Sequence, residues 1–133
     1  MAFLLFLPSE RSFAMCIGYL TRKYHADLAL VSRYTIGPAQ VSSSCGGFHG
    51  IGGELSNGLT VWVSNDEMEG HDDTDNAQWT VGLHLGGGYV GRIETGSLAE
   101  QLAIAASLTV EQVRTLKTGS RCSTVLPEQI IVS

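Results

Sequence analysis

Two runs of apolar residues at every second position, one on each side of a charged insert, constrain this chain more than any other feature. Leu59, Val61 and Val63 alternate with Thr60, Trp62 and Ser64, and Trp79, Val81, Leu83 and Leu85 alternate with Thr80, Gly82, His84 and Gly86. A period of two places one set of side chains on each face of a strand, so both runs read as half-buried strands. Asn57-Gly58 before the first run is a strong turn signal. Gly86-Gly87-Gly88 after the second returns the chain into a third strand, Tyr89 to Glu94. Strands that follow one another this closely predict an antiparallel meander.

Helical signals surround the meander. Ser97-Leu98-Ala99-Glu100 fits a capping box, and Thr109-Val110-Glu111-Gln112 fits a second. Leu98 to Ala106 has only Glu100 and Gln101 as polar residues, a pattern that predicts a helix buried on most sides. Val110, Val113 and Leu116 share one face of the next helix, with Gly119 as its end signal. Nearer the start, Phe13, Cys16, Ile17, Leu20 and Tyr24 recur at helical spacing after Ser9. Ala26 to Ile36 fits a helix and a strand about equally. The tail to Val132 suits a last strand.

Ala39 to Gly53 holds five glycines in its last eight residues and predicts a loop. The expected fold class is therefore α+β, a small antiparallel meander packed against a few helices. Residues 1–133 form a single domain, with a Gly/Ser-rich loop at 39–57 and an acidic loop at 65–77. A chain of 133 residues buries roughly two-thirds of its unfolded surface, enough for a core without staples.

The start, Ala2 to Leu7, is apolar for six residues and ends at Pro8. It lacks the basic start of a secretory signal and is far shorter than a membrane span, which needs about 18 residues. Burial in the fold or in a contact between two copies is expected, so a homo-oligomer is one option. Three cysteines (Cys16, Cys45 and Cys122) are an odd number, which suits reduced thiols and a cytoplasmic setting.

Net charge is concentrated in Asp66 to Asp75. The carboxylates of Asp66, Glu67, Glu69, Asp72, Asp73 and Asp75 stand there without a Lys or Arg, while the residues before carry +1 and those after carry 0, which sums to the chain's −5. Three readings fit. The charges keep a hairpin soluble and prevent edge-to-edge pairing. Alternatively, they hold a cation. Asn65, Glu67, Glu69, Asp73 and Asn76 fall at positions 1, 3, 5, 9 and 12 of a calcium-loop spacing, with Gly70 at position 6. The closing bidentate Glu is replaced by Asn76, and strands flank the loop where helices belong, so no metal is assigned. In the third reading, six carboxylates along about 30 Å of chain imitate a phosphate backbone and dock in the groove of a basic, nucleic-acid-binding protein.

The remaining constellations are partial. Cys45 with His49, His71 or His84 supplies a nucleophile and a base for a hydrolase. Thr80-Val81-Gly82-Leu83-His84-Leu85-Gly86-Gly87-Gly88 resembles the strand and turn of cell-wall cysteine peptidases of the NlpC/P60 type. In that family the catalytic histidine stands where this chain has Thr80, and Ser44-Cys45-Gly46-Gly47 resembles the nucleophile region loosely. Zinc spacing is missing, with no Cys-x-x-Cys and no His pair at i, i+4. Residues 97–118 resemble a helix-turn-helix, with Gln112, Arg114, Lys117 and Arg121 as candidate DNA contacts. No phosphate-binding glycine motif or cofactor signature is present, and no cofactor is assigned.

These features point to a small acidic protein without catalysis, binding or inhibiting a protein partner through or near the acidic loop. A helix-turn-helix DNA regulator and a Cys45-dependent hydrolase are the alternatives. Trp62 and His84, with Gly82 beside them, project from the face opposite Val61, Val81 and Leu83, and leave room there for a helix or a partner.

Overall fold

The computed structural model describes residues 17–44, 47–70, 78–118 and 125–133. Among these, six strands form one antiparallel sheet in sequence order: β1 (Gln40–Ser43), β2 (His49–Glu54), β3 (Thr60–Ser64), β4 (Thr80–Leu85), β5 (Gly88–Ile93) and β6 (Ile130–Val132). Four helices accompany it: α1 (residues 17–23), α2 (His25–Ser32), α3 (Leu98–Ser107) and α4 (Val110–Thr118). The α+β meander expected from the alternation is the observed fold, and the acidic segment joins neighbouring β3 and β4.

Pairing registers place Val41, Ile51, Val63, Val81, Ile93 and Ile130 side by side across all six strands. Every member is β-branched, a shape that packs well on a pleated surface. The four central members are fully buried. Helices cover this face. Leu20, Tyr24 and Val31 of the α1–α2 region reach the core at helical spacing, α3 packs on β4, and α4 on β5.

The Ala39 to Gly53 region is the main departure from expectation. Instead of a loop it builds the β1–β2 hairpin. Its glycines are sites of close approach. A Cβ on Gly50 would lie 2.6 Å from Trp62 Nε1 and 2.8 Å from Trp62 Cζ2, and one on Gly53 would run into the Thr35 side chain in the turn after α2. Strand pairing and these neighbours together outweigh the entropic penalty of glycine. The ambiguous Ala26 to Ile36 resolves into α2 as far as Ser32, followed by a turn. The expected strand at Ala2 to Leu7 lies outside the described residues, as do Cys16 and Cys122.

Helix α3 is buried on one side only. Leu98, Gln101, Leu102 and Ala105 face inward, while Ala99 and Ala103 are exposed. Alanine reads as apolar in a sequence yet adds little apolar surface to solvent, which explains the difference. Both capping boxes form. Ser97 Oγ accepts from Glu100 N while Glu100 Oε1 accepts from Ser97 N, and Thr109 and Gln112 repeat the exchange at α4.

The β2–β3 turn is tied to the helix layer through one side chain. Asn57 Nδ2 donates to the carbonyls of Ala105 (3.0 Å) and Leu108 (3.1 Å), and Asn57 Oδ1 accepts from Leu59 N. It thereby adds a side-chain donor to carbonyls at the C-terminal end of α3. Asn57→Ala is expected to destabilise the protein by about 1–2 kcal/mol, read as a lower urea midpoint with an unchanged slope.

Candidate functional site

The head of the acidic segment is ordered by its own side chains. Asn65 Oδ1 accepts from Met68 N at 2.9 Å and Asn65 O accepts from Glu69 N at 3.0 Å, folding residues 66–70 into a compact turn. Met68 is buried beneath it, and its carbonyl accepts from His49 N at the start of β2.

Glu67 points back into the protein. Its Oε1 accepts from Lys23 Nζ at 2.7 Å and from the Tyr24 hydroxyl, and its Oε2 accepts from the Tyr19 hydroxyl at 3.2 Å. The Lys23 ammonium also lies 5.5 Å from the Tyr19 ring centre and 5.4 Å from that of Tyr24. Burial pulls the Glu67 carboxyl upward, but the Lys23 and Tyr24 hydrogen bonds outweigh it and hold the group below its ordinary value. Burial, reinforced by the Glu67 hydrogen bond, holds the Tyr24 phenol above its ordinary value. Glu69 accepts from Ser64 Oγ at 2.8 Å. Thus Glu67 and Glu69 serve the fold, and Asp66 is exposed. Asp72, Asp73 and Asp75 lie outside the described residues. Asn65, Glu67 and Glu69, the first three positions of the calcium spacing, direct oxygens at protein donors, and no group of three His, Cys, Asp or Glu gathers among the described residues.

The face of the sheet that no described helix covers, called the uncovered face below, carries a second feature. The register sets Trp62 between Gly52 on β2 and Gly82 on β4. Its indole lies across β2, with the Nε1–Cε2–Cζ2 edge over Gly50 and the Cε3–Cζ3 edge over Gly52. Beside it, Ser44, Thr60, Trp62, His84 and Gly87 line a trough of about 360 Å³. Two devices shape its far end. Gly86 and Gly87 both adopt positive φ, the requirement of a two-residue hairpin turn. An irregularity in the β4–β5 register then pairs His84 with Tyr89 and Leu83 with Gly91, leaving Val90 as an extra residue. This bulge brings the Tyr89 ring to the His84 side, at 5.6 Å between centroids and edge-on. Arg92 donates to Glu94 Oε2 at 2.6 Å and to the Tyr89 hydroxyl at 3.1 Å. Burial lowers the His84 pKa, so the imidazole is neutral at pH 7.

The sequence-based candidates for catalysis and DNA contact are scattered. His84 stands in the trough and His49 is buried in β2, whereas Cys45 and His71 lie outside the described residues. Arg114 and Lys117 are exposed on α4, and Arg121 lies outside the described residues. Gln112 is engaged locally, by Thr109 N and by the Val125 carbonyl at 2.9 Å. No described helix is long and apolar enough to cross a membrane. Comparison with family models, curated proteins and solved structures returned no match.

The Glu67 cluster makes stability sensitive to both ends of the pH scale. A depressed carboxyl contributes above its unfolded pKa, and this is lost as pH falls through the folded value. A raised phenol contributes below its unfolded pKa, and this is lost as pH rises through the folded value. Glu67→Gln is expected to lower stability by about 1 kcal/mol at neutral pH. It should also flatten the acid limb below the usual Glu range, measured by urea denaturation across pH.

Proposed function

We propose that this chain is a non-catalytic binding protein that holds a macromolecular partner on the uncovered face of its sheet. Trp62 carries the reading. A large aromatic side chain lies on a floor cleared by Gly50 and Gly52, with Gly82 on its other flank, at the edge of a concave trough. Recognition sites are typically concave, mainly apolar and dotted with a few polar groups, and aromatic anchors dominate binding energy. Thr60 and His84 supply the polar groups here.

The sequence reading placed the contact at or beside the acidic segment. Because Glu67 and Glu69 direct their oxygens into the protein, we assign the described head of that segment a supporting role and the trough the central one. Asp66 remains available for steering a basic partner, through rate more than affinity.

Immobilised wild type, Trp62→Ala and an Asp66→Asn/Glu69→Gln double variant, exposed to extract of the native host, distinguish the two surfaces. Trp62→Ala is expected to retain about tenfold less material, as loss of a stacked anchor implies, while the acid-neutralised variant retains most of it. The opposite ranking would overturn the assignment.

A further inference from the structure

We propose that the trough is a carbohydrate subsite in which a neutral pyranose ring stacks on Trp62, with its hydroxyls toward Thr60 and His84. The inference rests on the uncovered sheet face being the binding face, and adds the chemistry of what binds.

A pyranose has an apolar C–H face and a rim of hydroxyls that both donate and accept. The trough offers the complement. Along its edge lies the indole of Trp62, laid over Gly50 and Gly52. Gly82, the partner of Trp62 on β4, raises no side chain beside the ring. At the rim stand the Thr60 hydroxyl, which donates and accepts, and the His84 imidazole, which in its neutral form does the same through its two nitrogens. Tyr89 holds the far side of that imidazole edge-on at 5.6 Å. About 360 Å³ accommodates a sugar ring with room for a linked neighbour.

Charge decides between ligand classes. Among the described residues, none of the five that line the trough carries charge at pH 7. The cation nearest in the register, Arg92, is bound by Glu94 at 2.6 Å and by Tyr89 at 3.1 Å. The chain is acidic overall. A phosphorylated or carboxylated ligand would bring negative charge to a site where the described residues offer no free cation. A single-stranded nucleic acid needs a positively charged groove as well as a stacking ring. A neutral sugar requires neither.

The two tryptophans make the test internally controlled, because Trp79 packs edge-on against Tyr24 at 5.4 Å in the helix-covered layer. The isotope-labelled full chain is titrated with maltopentaose, cellopentaose and chitopentaose, and then with uridine, adenosine and glucose 6-phosphate. The two indole N–H resonances are followed, assigned with Trp62→Phe. At least one neutral oligosaccharide is expected to move the Trp62 signal and leave the Trp79 signal in place. Gly50→Ala, whose Cβ displaces the indole, is expected to weaken that binding about tenfold, while Trp62→Phe retains more of it. Thr60→Val, at an exposed strand position, is expected to weaken it without altering the melting temperature.

A Trp62 signal unmoved by every neutral saccharide overturns the inference, as does a stronger response to the nucleosides or to glucose 6-phosphate. If the sugars fail while host material is still retained through Trp62, the uncovered-face reading survives and the carbohydrate assignment alone falls.

Discussion

A single row of β-branched side chains organises the molecule. Val41, Ile51, Val63, Val81, Ile93 and Ile130 lie side by side across every strand and under the helices. Because side chains alternate along a strand, fixing this row inward fixes everything else outward. A one-residue slip of a strand would turn its member of the row away from the core and bring an opposite-face neighbour inward, Gly52 on β2, Trp62 on β3 or Thr80 on β4. The register, the helix-covered side and the placement of half-buried Trp62 on the opposite face are therefore consequences of one packing requirement.

The two faces of the sheet solve opposite problems with related means. On the covered face, glycine allows close approach. Gly53 lies under Thr35, and Gly91 lies where a Cβ would come within 2.8 Å of the Ile131 carbonyl oxygen. On the uncovered face, Gly50 and Gly52 make room for one aromatic ring. Sixteen glycines in 133 residues would ordinarily suggest looseness, but here several of them sit in paired strands.

What was legible in the sequence followed from local periodicity. The strands around Val61, Val81 and Tyr89 have clear alternation or turn signals, and both capping boxes are encoded within four residues. The β1–β2 hairpin was not legible, since its glycines are explained by Trp62 and Thr35, partners outside the segment. The bulge at Val90 leaves no mark on alternation, so the contact of Tyr89 with His84 depends on pairing geometry. Counting charge located the acidic segment but could not reveal that Glu67 is bound by Lys23, 44 residues earlier, and by two tyrosines. Trp62 and His84 were recognisable as sharing a face, while the trough that joins them to Ser44 and Gly87 required the folded sheet.

A surface fixed by strand pairing differs in kind from one closed by moving loops. Strand ladders on both sides hold Gly52 and Gly82, and the indole occupies the space above Gly50 and Gly52. The Trp62 side of the trough is thus shaped by strand pairing alone, with no wandering segment of backbone to freeze in order to create it. The same rigidity limits adaptation. Such a surface is retuned by single substitutions that restore a methyl group at a glycine, each changing the contour in one discrete step.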